Sequence, residues 1–220
     1  MKHIIAVNSL EQLQFVSLGA DCVIYSPFEY TIADVQNFIK RCPLPVYLNL
    51  PNIARSKDID ILSVIDADNY VVNNPYGFEI AKGKNIILGT GLNLVNNGWQ
   101  GCRILGLESK VFFEPTDIVY AFGRPIVMSF CHHAPKSLTD DHGAKFVVKQ
   151  TKIANSYYNM YNNLPINVLP LLKQKKVLGK VGLLYDFCSY YVSELKKWDY
   201  SKLLDSSYPS TRGHLYRGVE

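Results

Sequence analysis

His3–Leu50 reads HIIAVNSLEQLQFVSLGADCVIYSPFEYTIADVQNFIKRCPLPVYLNL. Three short apolar runs, His3–Val7, Cys22–Tyr25 and Val46–Leu50, have strand character, and a stretch with helical spacing separates each from the next. After the first run, Asn8-Ser9 offers a helix cap with Gln12 three residues beyond Ser9, and Leu10, Leu13, Phe15 and Val16 follow until Gly19 stops the helix. Thr31 caps a second segment carrying Ile32, Val35, Phe38 and Ile39 on one face, which Pro43 and Pro45 end. The strand runs are continuously apolar, not alternating, so both faces of each are buried. That is the pattern of a parallel sheet covered by helices. No G-x-G-x-x-G follows the first run, which argues against the dinucleotide-binding version of this architecture.

The alternation continues outward. Ser56 or Asp58 caps Ile59–Ile65, and Tyr70–Val72, Asn85–Leu88, Arg103–Leu107 and Val111–Phe113 read as strands four to seven. Phe122–Lys136, FGRPIVMSFCHHAPK, has a tight turn at Gly123-Arg124-Pro125 flanked by Ile118–Ala121 and Ile126–Phe130, either a hairpin or an excursion from a barrel. A turn at Asp140-Asp141-His142-Gly143 precedes a short strand at Lys145–Lys149, and Asn155–Asn163 is rich in tyrosine and asparagine without a clean period. Leu164–Lys176 reads as a helix with a basic last turn, Val181–Tyr185 as a strand with Asp186 at its carboxyl end, and Ser189–Trp198 as an amphipathic helix. The expectation is one α/β domain over residues 1–220, a TIM-barrel-like (β/α) fold, complete or incomplete, with a small inserted hairpin.

Composition narrows the function classes. At 48% hydrophobic and 19% charged residues the chain is an ordinary globular protein of 220 residues, large enough to bury a core without disulfides. The net charge of +4 is mild. Arginines are scattered and lysines cluster only around Lys173–Lys180, which gives RNA slender support and a strongly basic DNA-binding face none. The fifteen tyrosines suit base stacking and, equally, half-buried barrel and helix faces. Five cysteines at 22, 42, 102, 131 and 188 lack any C-x-x-C, against both a disulfide scaffold and a zinc ribbon. His3–Val7 is too short for a secretory leader and no run has the length of a membrane span, so the expectation is a cytoplasmic protein without membrane partners.

Three groups of residues can carry chemistry. Cys131, His132 and His133 crowd the end of a strand; on an extended segment Cys131 and His133 share one side. Thiolate and imidazole suit zinc, copper or iron, with Asp140, Asp141 or His142 to complete the set. A Cys–His nucleophile pair has no third residue to orient it, and a structural cysteine beside surface histidines is the plainer reading. Asn73 and Asn74, then Asn93, Asn96 and Asn97, lie just past strand ends, where barrels place ligand-facing side chains; helix caps and left-handed turns explain them as well. Arg212, His214 and Arg217 lie close together in the tail, and their forked and imidazole donors suit an anionic ligand. Gly89-Thr90-Gly91 is too short for a phosphate loop.

In three places the chain resembles peptidase family U-32, the collagenase-like proteases. FGRPIVMSFCHHAPK resembles that family's Gly-Arg, apolar strand and Cys-Pro-like end, with the proline displaced to Pro135. LTDDHGAKFVVK (Leu138–Lys149) is similar to its Leu-Thr-Asp and Gly-Lys-x-Phe-x-Val pattern, and TRGHLYRGVE (Thr211–Glu220) to its Gly-His-x-x-Arg-Gly-Val ending. The resemblance implies a (β/α)-barrel and, in place of proteolysis, oxygen-independent hydroxylation of RNA bases or the ubiquinone ring, with an iron–sulfur cluster and, in some members, prephenate as oxygen donor. It further implies Cys131, Asp186 and His214 as catalytic positions and Arg124, Arg212 and Arg217 as ligand-binding ones, to which Asn73, Asn93 and Asn96 are added from their place past the strand ends. Cys131 matches one cluster position. The stretches expected to hold the other ligands read HHAPKSLTDDHG and KQTKIANSYYN, without cysteine, and Leu184 stands where an arginine is expected two residues before Asp186. Two expectations of different class follow: an enzyme with an altered site acting on RNA or a small anionic or aromatic molecule, or a binding subunit paired with a cysteine-rich relative. Peptidase activity comes third.

Overall fold

The computed structural model describes residues 3–16, 19–92, 99–105, 114–197, 203 and 209–210. β1 (His3–Val7), β2 (Cys22–Tyr25), β3 (Val46–Asn49), β4 (Asn69–Val72), β5 (Asn85–Leu88), β6 (Arg103–Leu105) and β7 (Asp117–Gly123) pair in sequence order, all parallel. The chain then leaves the sheet for β8 (Ile126–Phe130), β9 (Ser137–Thr139), β10 (Lys145–Lys152) and β11 (Ser156–Tyr161). It returns antiparallel along β7 as β12 (Ile166–Asn167) and re-enters as β13 (Gly182–Asp186), which is parallel to both β7 and β1. That last pairing closes an eight-stranded parallel barrel, the expected TIM-barrel-like fold.

Two layers of apolar side chains account for the unbroken apolar runs. Successive strand residues point to opposite faces, so Ile4 and Ala6 of β1 fill the barrel with Cys22, Ile24, Val71, Ile87, Ile104, Ile118 and Leu184. Ile5 and Val7 face the other way and join Val23, Leu48 and Val72 in the larger cluster that also holds helix residues. Those helices are α1 (Leu10–Val16), α2 (Ile32–Arg41), α3 (Ser56–Ser63), α4 (Tyr76–Ile80), α5 (Leu169–Gln174) and α6 (Val192–Leu195). At the start of α1, Ser9 Oγ accepts from Gln12 N–H while Gln12 Oε1 accepts from Asn8 N–H, at 3.2 and 2.7 Å. The Gln12 amide also donates to the carbonyls of Phe187 and Tyr190 and so ties α1 to the segment after β13. Thr31 caps α2 as the sequence predicts, and Phe38 stacks on Tyr25 of β2 at 3.8 Å. Burying that ring contributes about 2–3 kcal/mol. Ile32, expected on the buried face, is 49% exposed.

The structure departs from the sequence expectation around the turn at Gly123–Pro125. Ile118–Ala121 belongs to the seventh barrel strand, and Val111–Phe113, expected to be that strand, lies outside the described residues. The two arms of the expected hairpin sit in different sheets: β7 pairs with β13, while β8 pairs with β11. The insert is a four-stranded antiparallel sheet in the order β8-β11-β10-β9. Asn155–Asn163 showed no clean period because β11 serves both faces of that sheet. Neither Ser56 nor Asp58 is the N-cap of α3: the cap residue is Arg55, whose N–H donates to Asp58 at 2.8 Å. Among the described residues no helix is long and apolar enough to cross a membrane.

Candidate functional site

The carboxyl ends of β2, β3, β4 and β13 carry an arc of polar side chains in two hydrogen-bonded groups. Asn73 follows β4, and its amide nitrogen donates to the Leu50 carbonyl at 2.7 Å and to Asn49 Oδ1 at 2.8 Å. A carbonyl can only accept, so this contact fixes which way the Asn73 amide faces. Asn49, the last residue of β3, in turn donates from Nδ2 to Ser26 Oγ, just past β2, at 2.9 Å. Cys188, two residues past the end of β13, lines the same space as Ser26 and Asp186. Asp186, the last residue of β13, accepts the Tyr120 hydroxyl of β7 on Oδ2 and the Cys188 N–H on Oδ1, each at 2.9 Å.

Glycines make room for this arc. A Cβ on Gly89 would collide with the side-chain oxygen of Asn73, and one on Gly91 with the Asn73 backbone carbonyl. Gly89-Thr90-Gly91 therefore serves as a seat for Asn73. Gly123 has φ +140°, and a Cβ there would lie 2.8 Å from both the Tyr120 hydroxyl and the Asp186 Cβ.

The insert roofs the arc. On its inner face Ser129 Oγ donates to Asn159 Oδ1 at 2.6 Å, and Asn159 Nδ2 donates to Thr151 Oγ1 at 3.0 Å. Between roof and rim lies a cavity of two lobes, about 90 and 200 Å³, which share Ser26, Asn49, Asn52, Ile126 and Asp186. Tyr30, Tyr157 and Tyr161 line one lobe, Asn73, Thr90 and Tyr120 the other. The far end of the insert is pinned to the barrel by Asp58 of α3, which is fully buried. Its carboxylate accepts the N–H groups of Ala154 and Asn155, the Asn155 side-chain amide and the Tyr157 hydroxyl, as well as the Arg55 N–H. Beside it, Lys152 N–H donates to the Phe28 carbonyl at 2.7 Å and Tyr30 N–H to the Lys152 carbonyl at 2.9 Å.

Burial and partners set the proton affinities. Burial is the main influence on Asp186 and raises its pKa, against the opposing pull of the Cys188 and Tyr120 hydrogen bonds. Burial, then the neighbouring Asp186, pushes Tyr120 and Cys188 well above their ordinary values, so the thiol is not a thiolate nucleophile. Burial also opposes ionisation of Asp58, but the donors from Tyr157, Arg55 and Asn155 outweigh it and hold the carboxyl below the usual range. Among the described residues that line the cavity, Asp186 is the one acidic side chain and there is no lysine, arginine or histidine. The arrangement can hold a proton on a buried carboxyl beside uncharged amides, hydroxyls and tyrosine rings.

The residues singled out from sequence separate into those the fold brings together and those it does not. Asn73 and Asp186 face the same cavity. Arg124 does not line it: its guanidinium pairs with Glu194 at 3.2 Å and lies over the Tyr190 ring. Cys131 packs against the main core, while the His133 ring meets the edge of Tyr158. The strand stops at Phe130, so alternation no longer holds the two on one side. No group of three histidine, cysteine or acidic side chains suited to a metal ion occurs among the described residues. Asn74 donates to the Asn52 carbonyl and Asp140 caps its own turn. Asn93, Asn96, Arg212, His214 and Arg217 lie outside the described residues.

All five cysteines are described: Cys22 and Cys188 are buried in the barrel interior with Cys102 packed against that cluster, while Cys42 and Cys131 pack against the outer core. Cys22 opens β2, Cys42 follows α2 and Cys102 precedes β6, whereas Cys131 is in the insert and Cys188 at the mouth. A four-cysteine iron–sulfur cluster does not fit this placement. Sequence reasoning missed Ser26, Asn49, Tyr120 and Cys188 in the site, and Asp58 beneath the insert. Ser26 and Asn49 were within reach, since both stand at strand ends in the same way as Asn73. No family profile, curated protein or solved structure matches this chain.

Proposed function

We propose that this chain is a U-32-like barrel protein that takes part in an oxygen-independent, hydroxylation-type modification of a small aromatic ring, either a free molecule or an unstacked RNA base. The ring binds at the barrel mouth beneath the insert. The observation that carries this reading is the part-buried Asp186–Tyr120 pair opening onto a cavity of tyrosine rings, amides and hydroxyls. Tyrosine faces suit a planar ring, and the amides and hydroxyls suit its polar edge. Asp186 is the group that holds or passes a proton at the ring, because a buried carboxyl with raised proton affinity can stay protonated nearer neutral pH than a solvated one. Tyr120 orients it. On this reading the redox component falls to a cysteine-rich relative acting as partner subunit, because the five cysteines do not gather into one four-sulfur site. An anionic substituent on the ligand would fall to Arg212, His214 and Arg217.

The poor fit of the five cysteines to one four-sulfur site also supports a second reading, in which the chain is a ligand-binding subunit without chemistry of its own. One experiment separates the two. The host gene is deleted or replaced by Asp186→Asn, and RNA nucleosides and small aromatic metabolites are profiled by mass spectrometry. The enzymatic reading expects the same hydroxylated product to be missing from both strains. Loss in the deletion strain alone supports the binding subunit, and unchanged profiles in both refute the two readings together.

A further inference from the structure

The two lobes of the mouth differ in what builds them. The smaller is lined by the rim and the insert, with Tyr30, Tyr157 and Tyr161 among its walls. The larger reaches below the rim, where Ala6, Ile24, Val71, Ile104 and Leu184 form its floor. All five belong to the buried apolar layer that fills the barrel, and Ile4, Cys22 and Ile118 of the same layer close the barrel beneath them. Ala6 is the small member of the floor, and strand register sets it directly between Ile24 of β2 and Asp186 of β13. Partners in register project to the same face, and adjacent strands lie about 4.8 Å apart. The space left by the short Ala6 side chain is therefore beside the Asp186 carboxyl. Tyr120, Asp186, Ser26, Asn49 and Asn73 stand above the floor, so the lobe is apolar at depth and polar at its lip.

We propose that the larger lobe is the ring subsite of the mouth: it takes one six-membered aromatic ring edge-first, with the unsubstituted edge on the floor beside Ala6 and the polar edge at Asp186 and Tyr120, and it refuses fused two-ring systems. The inference deepens the proposed function and rests on its reading of the mouth as an aromatic-ring site. Size selects the lobe. At about 200 Å³ it exceeds the apolar cavity of about 150 Å³ that holds benzene, whereas the smaller lobe, at about 90 Å³, falls short of it. The remaining volume of about 50 Å³ suits one or two substituent atoms, since a water takes about 30 Å³, and not the four carbons of a second fused ring. Depth sets the orientation. A carbon–hydrogen edge gains from aliphatic contact, while a polar substituent on the floor would lose its hydrogen bonds to water without replacement. At the lip the same substituent meets a carboxyl, a phenol and amides. The smaller lobe shares the walls at Ser26, Asn49 and Asp186 and receives what projects from the ring. Ala6 is thus a specificity-determining residue, because a larger side chain there fills the place of the ring.

The test titrates the full chain, labelled with carbon-13 at its isoleucine, leucine, valine and threonine methyl groups, with phenol and with 2-naphthol. Ile24, Val71, Ile104 and Leu184 report on the floor, Ile53 and Thr151 on the smaller lobe. Phenol is expected to shift the floor methyl signals and to leave those of Ile53 and Thr151 in place. It is also expected to bind at least about tenfold more tightly than 2-naphthol, the reverse of the order that apolar area alone gives. Ala6→Leu is expected to weaken phenol binding by about tenfold or more. Phenol shifts confined to Ile53 and Thr151 would overturn the subsite and leave the mouth an aromatic-ring site. Equal or tighter binding of 2-naphthol would overturn the single-ring limit, and unchanged phenol binding in Ala6→Leu would overturn the role of Ala6. No response to either ring would refute the inference together with the aromatic reading of the mouth. If Ala6→Leu fails to fold, the two titrations of the parent chain decide.

Discussion

Replacing Asp58 with alanine tests whether the insert is held over the mouth by a single buried carboxylate. Four of its five hydrogen-bond donors come from the insert, at Ala154, Asn155 and Tyr157. A hydrogen bond to a charged group is worth about 1.5–3 kcal/mol, but donors sharing one carboxylate are not additive. Removing one partner of a buried charged set costs roughly 3–5 kcal/mol, and we take that range for undocking the insert. At about 1.4 kcal/mol per tenfold, contacts between insert and barrel should open roughly a hundred- to a few thousandfold more often. Hydrogen exchange at Tyr30 and Lys152 reads this directly. Their amides bridge insert and barrel yet do not touch Asp58. If exchange there changes less than about threefold, the carboxylate is not the latch and the reasoning fails. The effect has a pH signature as well. The folded carboxyl lies below its ordinary value, so its stabilisation is fully present above the unfolded value of about 3.9 and is lost as pH falls through the lower folded one. Asp58→Asn should abolish that acid-dependent opening.

Asp186 carries the opposite sign. Its folded proton affinity is raised, so stability is greatest below the unfolded value and declines as pH rises through the folded one; Asp186→Asn should therefore raise the thermal midpoint at neutral pH while removing the mouth's proton carrier, measured by calorimetry across pH. Gly123→Ala should cost at least about 1–3 kcal/mol from its left-handed backbone and should alter the near-ultraviolet tyrosine signal as Tyr120 is displaced; an unchanged spectrum would show that the close approach is not required. Arg103→Ala leaves Asp117, fully buried and bonded to the arginine at 2.7 Å, without its main counter-charge where β6 meets β7. A loss of roughly 3–5 kcal/mol in denaturant unfolding is expected, and a loss below about 1 kcal/mol would mean that the pair does not brace barrel closure.

How much of this was legible in the sequence follows the range of the interactions concerned. β1, β2 and β5 fall where the apolar runs place them, because a strand buried on both faces leaves no ambiguity of face for its length or ends to hide. The Thr31 cap and the Ser9–Gln12 pair were legible for the same reason: their partners are three residues away. The sequence left a hairpin and an excursion from the barrel both open here, because a strand followed by Gly-Arg-Pro and another strand is locally identical to a hairpin; the structure shows the excursion. What sends β8 to a different sheet is its pairing with β11, some thirty residues on. Asp58 was read as a local helix cap, and its partners at 154–157 were beyond any local pattern.

The candidate site shows the same division, with a consequence for its chemistry. Cys131 and His133 drew attention because they are neighbours in sequence, and the fold sends them to different surroundings. Ser26, Asn49, Asn73 and Asp186 are spread across 160 residues of chain, yet each ends or follows a barrel strand. Parallel pairing in sequence order brings those ends to one rim, so the relevant pattern is one polar residue per strand end. Such a rim supplies short side chains on rigid strands and glycines where they must approach, and that suits orienting a ring and a proton. Four sulfurs at a common centre would need cysteines at several of those same strand ends. Here only the segment after β13 provides one, at Cys188. The rim positions of β2, β3, β4 and β13 are thus held by serine, asparagine and aspartate, side chains that orient a ligand and ligate no iron–sulfur cluster.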